Sequence, residues 1–349
     1  MNSSRVLFIG GGVTSALAAS LALERLPHVS VSVWDKARGA GGRMATSRSR
    51  DVPNCSVDLG AQYISATAQS YAAHRDVYRQ LEDSKVIVPA DTSLMQGMRE
   101  TRQQDGQTRH FTAPDGMSSV VKHLLKQSGA DVQFGRRVAE VTEHNSRWSV
   151  RTECGLEDIF DMVVLTLPVP QLLALDGGIK NIINQQPDVK AKLEKVTYST
   201  RFVLGLFYSG AVDLGNESWS CKYISEHPII RFIAVDNIKR NRPQAPTSIL
   251  VHSTVQFGLE NIEKSHEEMR PVMLEALHQV LPSLPQAAEL KSLKWLYSQV
   301  HQPYPGRPGS LALGDDQTLI LGGDAFTSSN FDGCVDSAKT IVEKLAKSL

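Results

Sequence analysis

The stretch RVLFIGGGVTSALAASLAL, Arg5 to Leu23, supports two readings that exclude each other. A basic residue, an apolar run and a small-residue AAS tail follow the order of a secretory signal peptide, removed before folding. The same letters follow the order of a strand, a glycine turn and a helix start that cradle a dinucleotide. A signal peptide's apolar region is one uninterrupted helix, yet Gly10 to Gly12 break this one after only four apolar residues. Each glycine costs a helix about 1 kcal/mol relative to alanine. As a nucleotide site, every letter has a task. Val6 to Ile9 read as a buried parallel strand, continuous in apolarity. Gly10 and Gly12 permit a tight turn and let backbone approach a pyrophosphate. The helix opening at Thr14 turns its free N–H groups and positive dipole end toward those phosphates. A second strand, Val29 to Trp34, ends at Asp35, at the spacing where an acidic group meets a ribose hydroxyl. Ser15 stands where G-x-G-x-x-G has its third glycine, a position that serves helix–strand packing. The segment reads as a cofactor cradle.

Bulk properties narrow the rest. A chain of 349 residues is long for one core, which favours two lobes. With 41% hydrophobic and 21% charged residues the composition is that of an ordinary globular protein. Lys+Arg and Asp+Glu are both 37, so no electrostatic grip on nucleic acid or an anionic membrane is expected. No window approaches the roughly 18 apolar residues of a membrane span. Cys55, Cys154, Cys221 and Cys334 are far apart, with no CxxC spacing. They suggest neither a zinc site nor a disulfide framework, and favour a reducing, cytoplasmic compartment.

Two further signatures name the dinucleotide. After Asp35 comes KARGAGGRM, with Gly42 and Arg43, and then DLGAQY, Asp58 to Tyr63. Near the C-terminus, TLILGGDAFTSSNFDGCVDSAKTIVEKL delivers Gly322, Gly323 and Asp324 from a strand, with a helix beginning near Asp332 and Gly333. Amine-oxidase-like and hydroxylase-like flavoproteins carry a G-G-R segment at the first place. In them the late aspartate holds the ribityl chain, and the final helix N-terminus faces the flavin's pyrimidine edge. The stretches SVWDKARGAGGRM, DLGAQYI, VVLTLPVPQLL, LGLFY, KRN and GGDAFTSSNFDGC resemble the renalase family over essentially the whole chain.

That resemblance implies an α/β fold of the p-hydroxybenzoate hydroxylase type: a Rossmann-type FAD-binding domain with an inserted mixed or antiparallel-sheet substrate domain, and FAD held non-covalently. It implies oxidation of 2- and 6-dihydro-NAD(P) by hydride transfer to flavin N5, then to O2, giving NAD(P)+ and hydrogen peroxide. Carried over by matched letters, the flavin contacts are Thr14, Arg43, Gln62 and Tyr63, with Asp35 and Asp324 added from the wider group. Family members are described as secreted, yet cleavage within the first 20 or so residues would destroy the glycine turn; the mature chain is expected to keep Met1 or Asn2. Rival readings are a flavin monoamine (catecholamine) oxidase, and an extracellular protein with structural FAD acting through a cell-surface receptor.

The flavin domain is expected to be discontinuous, residues 1–79, 110–175 and 300–349, with the substrate domain in 80–109 and 176–299. In the first, DVQFGRRVAEVTEHNSRWSVRTE alternates like strands around a polar turn at His144 to Ser146, and Pro168 stops a buried strand as it enters a short helix. In the second, RFVLGLFYS, IIRFIAVDN, SILVHSTVQF and SLKWLYSQV alternate like strands, and a helix from about Lys264 to Val280 covers one face. Such a sheet would roof the flavin and leave a cleft.

On the substrate side, Arg231 lies among apolar neighbours in IIRFIAVD, and an unpaired buried charge costs several kcal/mol. It either grips a substrate phosphate or amide, or pairs with Asp236 or another carboxylate. His252 in LVHST is either a hydrogen-bonding partner of a nicotinamide carboxamide or a satisfied core histidine. Trp295 in LKWLY packs along a flavin or nicotinamide ring, or is sheet core. Tyr63 and Gln62 sit near the isoalloxazine by the matched motif; Tyr223 and Asn237 are further cleft candidates. Lys239 to Arg242 form a basic turn, read as a solvated loop rather than a phosphate contact. Cys334 falls in FDGCVDSA, a buried thiol rather than a covalent flavin anchor. No acid–base pair stands out, which suits a donor that already carries a hydridic C–H. An amine would need deprotonation and usually an aromatic cage, and aromatic residues make up only 6%.

Overall fold

A computed structural model describes residues 3–98, 108–214, 219–314 and 316–349. Met1 and Asn2, and residues 99–107 of the expected substrate segment, lie outside the described residues. Contacts divide the chain into two compact units. The first comprises Met1–Gly42, Val120–Thr197 and Val300–Leu349; the second comprises Arg43–Ser119 and Tyr198–Gln299. Residues 43–79 and 110–119 thus pack with the second unit and 176–197 with the first, opposite to their places in the sequence reading. The physical reason is local. Val52, Cys55 and Val57 bury their side chains in a cluster with Val203, Phe232 and Leu250. Asp176 bridges Glu140 in parallel, and its carbonyl accepts from Val141 N.

The first unit is built on a six-stranded sheet. Its order is Ser310–Leu313, Leu319–Gly322, Met162–Leu165, Ser4–Ile9, Val29–Asp35 and Asp131–Phe134. All neighbours are parallel except the Ser310–Leu313 edge. Val6, Leu7 and Phe8 are fully buried, because a central parallel strand is covered on both faces. The helix Val13–Arg25 follows directly, and the final helix Phe331–Ser348 packs against it. The segment from Arg5 to Leu23 is therefore the centre of this unit. Beside the sheet, Val138–His144, Arg147–Thr152 and Glu157–Phe160 form an antiparallel meander. Asn145 and Ser146 both take left-handed φ, +52° and +58°, the turn that a two-residue hairpin demands. The strand Met162–Leu165 ends before Pro168 is reached, and Pro168 is the N-cap of the short helix Val169–Leu173.

The second unit is built on a six-stranded mixed sheet. Its order is Glu289–Gln302, Thr197–Phe207, Ser248–Ser253, Ile230–Val235, Cys221–Tyr223 and Met95–Gln96. The pairings from Thr197–Phe207 to Cys221–Tyr223 are antiparallel, and the Met95–Gln96 edge is parallel. Period-2 alternation sorts its two faces. Phe202, Leu204, Leu206, Ile233, Val235, Ile249 and Val251 meet Met273, Ala276 and Leu277 of the helix His266–Val280. That helix opens on a capping box of Ser265 and Glu268, one turn before its internal Pro271. The opposite face carries Val203, Phe207, Phe232, Ala234 and Leu250, with Tyr63, Tyr223 and Trp295 packed on it.

Candidate functional site

In the first unit, Gly10 takes φ +114°, and a Cβ there would lie 2.7 Å from Thr166 Oγ1. Gly12 is different. Its φ of −93° suits any residue, and a Cβ built on it meets no atom within 4 Å. Gly12 is the N-cap of Val13–Arg25, and it offers no side-chain acceptor; the first turn carries no acid. The first N–H groups of the helix thus have no capping side chain, with Thr14 buried at its second position. A diphosphate fits this end by charge and by space. Ser15 is fully buried, and its hydroxyl shares a 2.7 Å hydrogen bond with Thr166. The departure from the glycine pattern therefore fastens the helix to the neighbouring strand end and takes nothing from the loop.

Asp35 accepts from Gly11 N at 2.5 Å and from Ala37 N at 2.6 Å, one on each oxygen. It ties the glycine turn to the loop after the second strand, with further lone pairs left for a ribose hydroxyl. Gly41 N donates to Gly11 O, and Gly42 (φ +52°) would bring a Cβ 3.4 Å from Gly12 Cα. The second glycine pair thus lies on the first. At the C-terminal signature, Gly323 (φ +116°) donates its N–H to Ser337 Oγ at 2.7 Å. Asp324 is buried and accepts from Ser329 Oγ at 2.9 Å. The final helix begins at Phe331, capped by Asn330, whose Oδ1 accepts from Gly333 N at 2.7 Å. Cys334 lies within its first turn, only half-buried.

In the second unit, Arg43 O accepts from Ala61 N at 2.9 Å, and Leu59 N donates to Ala45 O. A Cβ on Gly60 would lie 1.9 Å from Arg43 O, so only glycine allows the DLGAQY segment to lie on the GGRM turn. Both N–H donors of the Gln62 amide are committed: Nε2 donates to Asp58 O at 2.6 Å and Gly60 O at 2.9 Å, while Oε1 accepts from Lys239 at 2.8 Å. Towards a flavin Gln62 therefore has only acceptor capacity left. Tyr63 shares a 2.5 Å hydroxyl hydrogen bond with Tyr223.

His252 Nε2 lies 3.0 Å from Leu59 O, and Trp295 Nε1 donates to the same oxygen at 2.8 Å. The carbonyl can only accept, so Nε2 carries the proton and Nδ1 holds the lone pair. Burial pushes the imidazole down to about 4, opposed by the Leu59 carbonyl and helped by the charges of Arg201 and Lys239. His252 is thus neutral at pH 7. A histidine that is neutral when folded and titrates near 6.5 when unfolded contributes stability that is whole above pH 6.5 and is lost as pH falls toward 4. Urea unfolding should show a loss of up to about 3 kcal/mol across that window. The loss should be absent from His252→Gln; equal slopes for the two proteins would contradict a desolvated neutral imidazole.

The largest departure from the sequence reading is the basic turn. Lys239 and Arg240 are not solvated: they sit on the short helix Asp236–Lys239 and just after it, buried against Asp58 and Asp236. Lys239 Nζ lies 2.5 Å from Asp236 Oδ1 and 3.1 Å from Asp58 Oδ2, and Arg240 Nη2 lies 2.7 and 2.9 Å from the same two carboxylates. Burial acts to raise the Asp58 pKa, but Lys239, Arg240 and the Thr46 and Met117 hydrogen bonds hold it below the usual carboxylate range. Of the turn's three cations only Arg242 faces solvent, paired with Asp115. Asp236 is thereby spent, and it is not the partner of Arg231. Arg231 Nη1 donates to Ile224 O at 3.0 Å, with its guanidinium 5.7 Å from the Tyr223 ring centroid. Asn237, the other cleft candidate, is buried with Nδ2 toward Ala245 O.

The expected flavin residues fall in both units. Gly10, Gly12, Thr14, Asp35, Gly42, Gly323 and Asp324 are in the first, and Arg43, Gln62 and Tyr63 in the second. Sequence reasoning passed over Asp58, Leu59 and Arg201. The signal for Asp58 was a charged residue beside an apolar one in a strand, matched by DNIKR, where two cations follow an acid at helical spacing. Among the described residues no helix is long and apolar enough to cross a membrane.

A glycine cradle with an uncapped helix end, joined to a mixed sheet, is the frame of a flavin-dependent oxidoreductase. Residues 9–81 match the NAD(P)-binding Rossmann-like domain, and residues 88–346 match the flavin containing amine oxidoreductase family. FAD is the cofactor of this class. More narrowly, the chain belongs to the renalase family: it is 39% identical to the renalase of Mus musculus over 347 residues, 99% of either chain. Solved structures agree in fold at lower identity. An Exiguobacterium sp. protein assigned provisionally as a protoporphyrinogen oxidase matches with a TM-score of 0.72 at 13% identity, covering all of both chains. A Pyrococcus furiosus protein matches with a TM-score of 0.61 at 13% identity, over 98% of this chain and 97% of its own.

Proposed function

We propose that this protein oxidises isomeric dihydronicotinamide dinucleotides, the 2- and 6-dihydro forms of NAD(P), to NAD(P)+. Oxygen is the final acceptor: dihydro-NAD(P), O2 and one proton give NAD(P)+ and H2O2. Non-covalently held FAD supplies the two-electron carrier between hydride donor and oxygen. Gly10, Gly12 and Thr14 would hold its diphosphate and Asp35 a ribose. Gly42, Arg43, Gln62, Tyr63, Gly323 and Asp324 would complete its seat.

The observation that carries this reading is the character of the aromatic face in the second unit. Tyr63, Tyr223, Phe232, His252 and Trp295 form a contiguous surface. The His252 imidazole in it is neutral with its proton committed to Leu59 O. An ammonium substrate must lose a proton before it can give up a hydride. A dihydronicotinamide needs only a planar seat, because formation of the aromatic pyridinium drives the step. His252 Nδ1, the acceptor left on the ring, suits the amide N–H of a carboxamide. Trp295 and Tyr223 supply planar faces for the ring.

Anaerobic mixing of the yellow holoenzyme with 6-dihydro-NAD should bleach the flavin absorbance within seconds, with no bleaching by adrenaline. Bleaching by adrenaline and none by either dihydro isomer would instead establish an amine oxidase.

A further inference from the structure

Resting on the reading just given, we propose that Arg201 and Arg231 together form a two-guanidinium receptor for the phosphate groups of the nucleotide substrate, at one end of the aromatic face. Arg201 lies on the strand Thr197–Phe207, and its Nη1 donates to Ser253 O at 3.0 Å. Ser253 stands opposite Ile230 in the ladder, next to Arg231. The two cations are close enough that Arg231, after burial itself, lowers the Arg201 pKa. Among the described residues neither has a carboxylate partner, and Asp236 is held by Lys239 and Arg240.

Two like charges on strands that flank one common strand, Ser248–Ser253, are costly unless an anion joins them. Among the described residues their hydrogen-bond acceptors are Ser253 O, Gln299 Oε1 at 3.5 Å and Ile224 O. Most of the ten N–H donors of two guanidiniums are thus left over, in the forks that match phosphate oxygens. The position is informative as well. Arg231 stands over Tyr223, which packs on Phe232, and Phe232 on His252. A planar ring on the aromatic surface with phosphates at its arginine end describes a nicotinamide nucleotide better than a free amine.

The test compares wild type, Arg201→Gln, Arg231→Gln and the charge-preserving Arg201→Lys as FAD-loaded proteins. Steady-state KM is measured for the dihydronicotinamide mononucleotide and for its phosphate-free riboside. Binding of inorganic pyrophosphate is measured by calorimetry at low salt. Either glutamine variant should cut the preference for mononucleotide over riboside by about tenfold or more and abolish pyrophosphate heat, with Arg201→Lys intermediate. An unchanged preference ratio, or pyrophosphate binding equal to wild type, would overturn the receptor. If neither dihydronicotinamide reduces the flavin, the substrate reading fails. The pyrophosphate measurement then still decides the anion site alone.

Discussion

A Gly12→Val variant is expected to fold and to purify without colour. Its φ and ψ, −93° and −175°, are open to valine, and a Cβ meets nothing within 4 Å. Added methyl groups would project only into the space that a diphosphate fits. FAD affinity should fall at least about 100-fold, or about 2.7 kcal/mol. The unfolding midpoint of the FAD-stripped protein should move little, since exchanging glycine for valine at an N-cap costs on the order of 1 kcal/mol. Gly10→Val is the instructive contrast. With φ +114° and a Cβ 2.7 Å from Thr166 Oγ1, it should destabilise the fold itself, with or without cofactor. Calorimetry with FAD on stripped protein separates the two; wild-type flavin content in Gly12→Val would refute the cradle.

The second large effect is expected at Lys239. Its ammonium is 1% exposed, between carboxylates that are fully buried. Lys239→Met should cost about 3–5 kcal/mol, because two buried carboxylates are then left with Arg240 as their only cation. Asp58→Asn should cost a similar amount, and the double variant less than the sum, since the two changes remove one interaction. Urea unfolding at pH 7 reads all three. Asp58 titrates lower when folded, so its contribution is present above about pH 4 and lost on further acidification. Lys239 titrates higher when folded, so its contribution holds below about pH 10.4 and is lost above. A cost near that of a surface pair, below about 1 kcal/mol, would show the cluster to be idle.

These two expectations differ in how they could be found. The glycine cradle is legible because its parts are neighbours in the chain. A strand, a turn that needs φ above zero, a helix end and an acid after the second strand follow within Val6 to Asp35. The hairpin at Asn145 and Ser146 and the helix start at Pro168 were legible for the same reason. Arg231, His252 and Trp295 were legible only as residue types worth attention. Whether each meets a ligand or a core partner depended on what lay opposite. For His252 and Trp295 it is the Leu59 carbonyl, 193 and 236 positions away.

The sequence alone therefore determined the cofactor class, the continuous apolarity of the first sheet's central strand and the alternation of the second sheet, because spacing within one segment governs backbone conformation. Tertiary structure alone decided the fate of the charges. Lys239 meets Asp58 across 181 positions of chain, and this removes Asp236 from the reach of Arg231. A charge's cost is set by its burial and its partner, and both are properties of the packed fold rather than of the letters beside it.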